Sequence, residues 1–219
     1  MKKLLLLLLV SMFFANFSAQ ELSEGIFLFD KFKPGKVTYK DGISSQALLN
    51  YDKVDEKMYF ILPDADSTLM ELTKTSFISN IIVDGRTFEH IKSGQFYEKV
   101  KVADSFFYIK WKSSIASQGK AGGYGTTSGT GAIDNASQAF GHSTSSKLKS
   151  TEVFKTNPHN AYYLKEKGKF KRFESFNTLA KLFKKHEASI KNYIKTENLD
   201  FKKLEDVTKA ITYCFQIEK

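Results

Sequence analysis

Cysteine is nearly absent: Cys214 is the only one in 219 residues. No intramolecular disulfide can form, so stability has to come from a packed core, and a chain of this length can build one. Proline is scarce, with three residues, and there is one tryptophan. The four histidines, His90, His142, His159 and His186, include no H-x-x-x-H pair, the spacing that puts two metal ligands on one helix face. Past residue 15 no apolar run approaches the roughly 20 residues of a membrane-spanning helix, which excludes an integral segment from the remainder.

Motifs for cofactors are missing as well. In the glycine-rich segment, Gly125 to Gly131 is followed by Ala132-Ile133, without the lysine that must follow the second glycine of a phosphate loop. Gly123-Tyr124-Gly125 is followed by Thr126-Thr127-Ser128, which breaks a dinucleotide fingerprint. Gly125-Thr126-Thr127-Ser128-Gly129 has the wrong spacing for a nucleophile elbow. No cofactor and no catalytic set is expected from these patterns. Cys214 falls in phase with Val207 and Ile211, so it reads as a small core hydrophobe. Asp52, Asp55, Glu56, Asp64 and Asp66 read as turn chemistry.

At the start, Lys2 and Lys3 precede an apolar run from Leu4 to Val10 that continues through Met12–Ala15 and ends in Ser18-Ala19-Gln20. This is the cationic, apolar and small-residue order of a cleavable signal peptide over residues 1–20, with cleavage after Ala19 or Gln20. The expected location is therefore exported, periplasmic or secreted.

Charge is unevenly placed. Residues 21–146 hold 14 basic and 15 acidic side chains, whereas residues 147–219 hold 17 and 9. Outside the cytoplasm a basic third meets lipid headgroups, lipopolysaccharide, acidic glycans or an acidic partner rather than nucleic acid. Lys181, Lys184, Lys185 and Lys191 are the candidate contacts with an envelope protein or an anionic envelope surface.

Residues 21–115 read as an antiparallel β-rich region. Strand-length apolar stretches are punctuated by Pro34-Gly35, Asp41-Gly42, Asp52–Lys57, Pro63-Asp64 and Asp84-Gly85. Met58–Leu62 is apolar on both faces and reads as a central strand. Connections this short exclude a parallel sheet. Residues 116–150 are rich in Gly, Ser and Thr and poor in large apolar groups, and read as a long flexible segment. Residues 151–219 read as a hairpin about Lys167-Gly168 and three short amphipathic helices. Ser175 is the expected N-cap and Asn198 a left-handed stop. The expected fold class is α+β, an antiparallel meander covered by a helical tail.

Twenty phenylalanines and ten tyrosines leave room for a solvent-facing aromatic row. Tyr108, Trp111, Tyr162 and Tyr163 are the candidates for stacking on glycan or peptide. A hydrolase site assembled only by the fold is a third reading.

Several phrases occur together: Gly35–Gly42, Leu49-Asn50-Tyr51-Asp52, Val83–Phe88, Gly119–Gly125, Leu182–His186 and the helical tail from Tyr193 to Asp206. The set resembles a family of exported proteins of Bacteroidetes-type bacteria to which no activity attaches. The resemblance implies a Gram-negative envelope or secreted location and no site residues.

Overall fold

The computed structural model describes residues 25–62, 68–92, 94–121, 127–128 and 152–218. The expected signal segment, the turn about Pro63-Asp64 and most of the Gly/Ser-rich stretch lie outside these residues.

The protein is α+β, with a large antiparallel sheet and a C-terminal helical tail. The strands are β1 (Lys33–Tyr39), β2 (Ser44–Asp52), β3 (Lys57–Ile61), β4 (Met70–Glu71), β5 (Ile78–Val83), β6 (Arg86–Lys92), β7 (Gln95–Val102), β8 (Ser105–Lys110), β9 (Ser113–Ala121), β10 (Thr127–Ser128), β11 (Glu152–Pro158), β12 (Ala161–Glu166) and β13 (Lys169–Phe173). Ten of them form one sheet in the order β13-β12-β8-β7-β6-β5-β1-β2-β3-β4, and β10-β9-β11 form a second. Two meanders, β1–β4 and β5–β8, join where β1 pairs with β5, and the β12–β13 hairpin extends the sheet from β8.

Turn chemistry follows the sequence closely. Asp84 and Gly85 both adopt positive φ (50° and 74°), as do Lys167 and Gly168 (48° and 78°), the backbone that matches a two-residue hairpin to the twist of its strands. Pro34-Gly35, read as a break, instead lies inside β1. Pairing with β5 begins only at Gly35↔Val83, so the missing Pro34 N–H interrupts no ladder. Gly35 is there because its neighbours leave no room. A Cβ would stand 2.5 Å from Val83 Cγ2, 2.6 Å from Leu49 Cδ1 and 2.9 Å from the Ile82 carbonyl oxygen. Gly35→Ala is expected to cost about 1–3 kcal/mol, measured by urea denaturation, because backbone must move to admit the methyl.

Met58–Leu62 is not central: β3 is followed only by the two-residue β4 at the sheet's edge. Met58 joins the core cluster of the sheet, Tyr59 on the other face is buried beside the preceding chain, and Leu62 is exposed. Residues 26–29 run beside β2, with the Leu28 N–H donating to the Tyr51 carbonyl (2.9 Å) and the Lys53 N–H to the Ile26 carbonyl (2.9 Å). The buried Asn50 amide accepts from the Phe29 N–H (3.1 Å) and donates to its carbonyl (2.9 Å). Phe27 meets the Tyr59 ring edge-on at 6.3 Å.

The flexible segment expected over residues 116–150 is not what its described first residues show. Ser113–Ala121 is a strand, paired with Glu152–Pro158. Small polar residues bury little, but a partner strand satisfies their backbone hydrogen bonds regardless of side chain.

Among the described residues three helices complete the fold: α1 (Phe176–Leu182), α2 (Glu187–Thr196) and α3 (Leu204–Ile217). Ser175 caps α1 as expected. Its Oγ accepts from the Thr178 N–H (3.1 Å), and Thr178 Oγ1 accepts from the Ser175 N–H (2.9 Å). Asn198 ends α2 with φ 50°. Leu179, Phe183, Ile190, Val207, Ile211 and Cys214 pack on Phe107, Ile109, Tyr162, Leu164 and Phe173 of the sheet. Burial pushes the Cys214 thiol up to about 12, which suits packing and not nucleophilic chemistry. A second cluster, built on Leu49, Tyr51, Ile81, Val83, Phe88 and Phe96, occupies the β1–β7 part of the sheet. Trp111 packs against both.

Candidate functional site

The apolar stripe of α1–α3 is turned to the sheet, so the intervening positions face water. Lys181, Lys184, Lys185 and Lys191 are all exposed. Lys191 donates to Glu187 Oε1 (2.5 Å) one helical turn earlier, which holds that carboxyl below the usual range. Lys181, Lys184 and Lys185 form no ion pair among the described residues. Lys184 and Lys185 sit on a 3₁₀ turn, Lys184–His186, that joins α1 to α2. The tail thus presents three uncommitted ammonium groups around one helix junction.

The aromatic candidates do not make one exposed row. Tyr108 is 3 % exposed and Tyr162 5 % exposed, and the strand alternation puts them on opposite faces. Tyr162 belongs to the core beneath the helices, stacked on Phe173 at 5.8 Å with Phe201 edge-on at 5.5 Å. Tyr163 is half-buried, stacked on Tyr97 at 4.9 Å, and Phe170 meets Tyr108 edge-on at 4.9 Å. The Lys165 ammonium lies 5.3 Å from the Phe170 ring centre. These rings satisfy one another across the strands, which leaves little face for a sugar. Burial, assisted by the Glu89 carboxylate that its hydroxyl reaches at 3.2 Å, pushes the Tyr108 phenol up to about 12.

Trp111 is half-buried and belongs to a polar cluster that the sequence reading missed. Arg86 Nε donates to Glu98 Oε1 (2.8 Å), Arg86 Nη2 to Oε2 (2.5 Å), and Trp111 Nε1 to Oε2 (2.6 Å). The guanidinium also lies 4.9 Å from the Trp111 ring centre and 5.2 Å from that of Phe29. Glu98 is 7 % exposed. A signal was present: Glu98 stands in phase with Phe96, Val100 and Val102, and Arg86 with Phe88, so both charges occupy inward positions of their strands. Each carboxylate oxygen already has a donor, so the cluster ties β6, β7 and Trp111 together and offers no free acid or base.

A second charged contact joins the β2–β3 turn to the end of β8. Glu56, in the β2–β3 turn, pairs with Lys110 and with Lys112 (2.9 Å), while the Ser113 N–H donates to the Lys53 carbonyl (2.8 Å). Burial opposes the charge on Glu56, and the two ammonium groups outweigh it, holding its carboxyl below the usual range. Asp52 does turn chemistry as expected, accepting from the Val54 and Asp55 N–H groups (2.7 and 2.9 Å).

His90 lies in β6, His159 follows β11 and His186 lies between α1 and α2, so the fold scatters them; His142, Asp64 and Asp66 lie outside the described residues. Among the described residues no three His, Cys, Asp or Glu side chains converge in a way that could hold a metal ion, and no helix is long and apolar enough to cross a membrane. Two open grooves, of about 500 and 470 Å³, run over Ala47, Leu48 and Ile82 and over Arg86, Lys99 and Lys101. Comparison with family models, with curated proteins and with solved structures gave no match to this chain.

Proposed function

We propose that this is an exported, non-catalytic envelope protein that docks on an anionic envelope surface, or on an acidic protein displayed there, through its helical tail. The observation that carries this reading is the exposed, uncommitted trio Lys181, Lys184 and Lys185 at the α1–α2 junction. It is joined to a sheet that holds it in place through the Phe107–Leu179–Ile211 core. The leader-like segment at residues 4–15 and the resemblance to exported bacterial proteins supply the compartment in which such a face meets polyanions.

A lysine near an anionic surface contributes about 1 kcal/mol. The triple variant Lys181→Glu, Lys184→Glu and Lys185→Glu should therefore weaken binding to isolated envelopes by about a hundred-fold at low salt. It should leave the thermal midpoint nearly unchanged, because all three side chains are solvated. Binding that is as strong in the triple variant as in the parent, or that ignores added salt, would remove the electrostatic basis of the reading.

A further inference from the structure

Ile43 and Phe77, at 65 % and 64 %, are the most exposed large apolar side chains among the described residues. Both stand at the same end of the sheet. The Tyr39 N–H donates to the Ile43 carbonyl (2.8 Å) and the Lys40 N–H to the Phe77 carbonyl (2.8 Å), so the two residues flank the end of β1. Strand spacing puts them roughly 10 Å apart.

The backbone holds Phe77 in this position. It closes a single 3₁₀ turn, Thr75–Phe77, with its N–H donating to the Lys74 carbonyl (3.1 Å), and Lys74 sits at φ 51°. A long side chain in the left-handed region is strained and persists only where its surroundings enforce it. The β6–β7 turn stands alongside, since a Cβ on Gly94 would be 3.6 Å from Thr75 Oγ1, and it brings Lys92 to the same end.

Lys40, Lys74 and Lys92 are exposed and form no ion pair among the described residues. Asp41, the acid beside them, is used locally, its Oδ1 accepting from the Ile43 N–H (3.0 Å). Two exposed apolar groups and three lysines outside any ion pair thus share one end of the sheet. That combination matches the two layers of an anionic lipid surface, charged headgroups outside and an apolar boundary beneath.

We propose that this end of the sheet is a lipid-contacting tip. Ile43 and Phe77 enter the apolar boundary of an anionic lipid layer while Lys40, Lys74 and Lys92 meet its phosphates. The inference deepens the reading above, resting on it for an anionic surface and naming lipid as that surface.

The test is co-sedimentation of the purified chain with vesicles of phosphatidylcholine alone and of phosphatidylcholine mixed with phosphatidylglycerol. Three variants are compared: Ile43→Ser with Phe77→Ser, Lys40→Glu with Lys74→Glu and Lys92→Glu, and the tail triple variant. The N-terminal apolar segment is common to all, so differences between variants are what is read. Binding to the anionic vesicles should fall about ten-fold or more in each tip variant. Phe77→Trp should show a blue-shifted emission on the same vesicles beyond that of Trp111 alone. Tip variants that bind like the parent overturn the inference; if the tail variant alone loses binding, the tail reading survives without it. A parent chain that ignores anionic vesicles but still binds isolated envelopes likewise overturns the lipid tip and leaves the proposed function standing.

Discussion

Arg86→Ala is expected to lower the unfolding free energy by about 3 kcal/mol, the lower end of the range for breaking a buried ion pair from one side. The lower end applies because the Arg86 side chain is itself 29 % exposed, so part of its charge is already solvated. What remains costs most: the Glu98 carboxylate stays in place with only the Trp111 indole N–H as a donor. Arg86→Lys should recover part of the loss, since an ammonium restores the charge but not the two-pronged geometry. Arg86→Met with Glu98→Gln should lie nearer the parent than Arg86→Ala, because no unpaired charge is left and the glutamine oxygen still accepts from Trp111. Trp111 is the only tryptophan. Its fluorescence therefore follows urea unfolding and reports the environment of the cluster at once. An Arg86→Ala protein within about 0.5 kcal/mol of the parent would mean that the pair is open to water and contributes as a surface pair does.

Phe107→Ala should cost about 3–5 kcal/mol, the range for emptying a buried aromatic site. Phe107 is fully buried where β8 meets the helices. Its neighbour Phe106 points to the other face and is 41 % exposed, with the Lys99 ammonium 4.4 Å from its ring centre. Phe106→Ala should cost only about 0.5 kcal/mol, the value of a surface cation–aromatic contact. The contrast between adjacent phenylalanines tests the strand register directly, since a one-residue slip would exchange their roles. Hydrogen exchange adds a second reading. In Phe107→Ala the amides of α1–α3 should lose protection before those of β1, β5 and β6, because the helices rest on the Phe107 cluster and the central strands on the other. Equal losses in both regions would show that the two clusters unfold as one unit.

Much of the local structure was legible residue by residue. Asp84-Gly85 announced a hairpin because Asp and Gly accept two positive φ angles in succession, and Lys167-Gly168 did so through its glycine between two apolar runs. Ser175 announced the start of α1, and Leu179, Val207, Ile211 and Cys214 announced the inward stripe of the helices. The exposed lysines of the tail follow from the same stripe. Composition misled at Ser113–Ala121, where a polar strand is held by its partner's backbone. The lack of alternation misled at Met58–Leu62, where the N-terminal segment lies beside Tyr59 on what would otherwise be an outer face. The aromatic row failed because Tyr162 and Tyr163 are neighbours in sequence and therefore cannot share a face of one strand. Nothing local announced the tip, as Ile43 and Phe77 are brought together only by β1.

The amino-acid order alone determined most of the elements, the Asp84-Gly85 and Lys167-Gly168 turns, the cap of α1, and the segregation of basic charge into the last third. These depend on backbone preferences and side-chain periods that act within a few residues. Tertiary structure decided that β1 lies between β2 and β5, that Arg86 and Glu98 meet across a hairpin, and that Ile43 and Phe77 crown one end of the sheet. Such pairings depend on which distant apolar faces exclude water together, a property of the folded whole that no window of sequence contains.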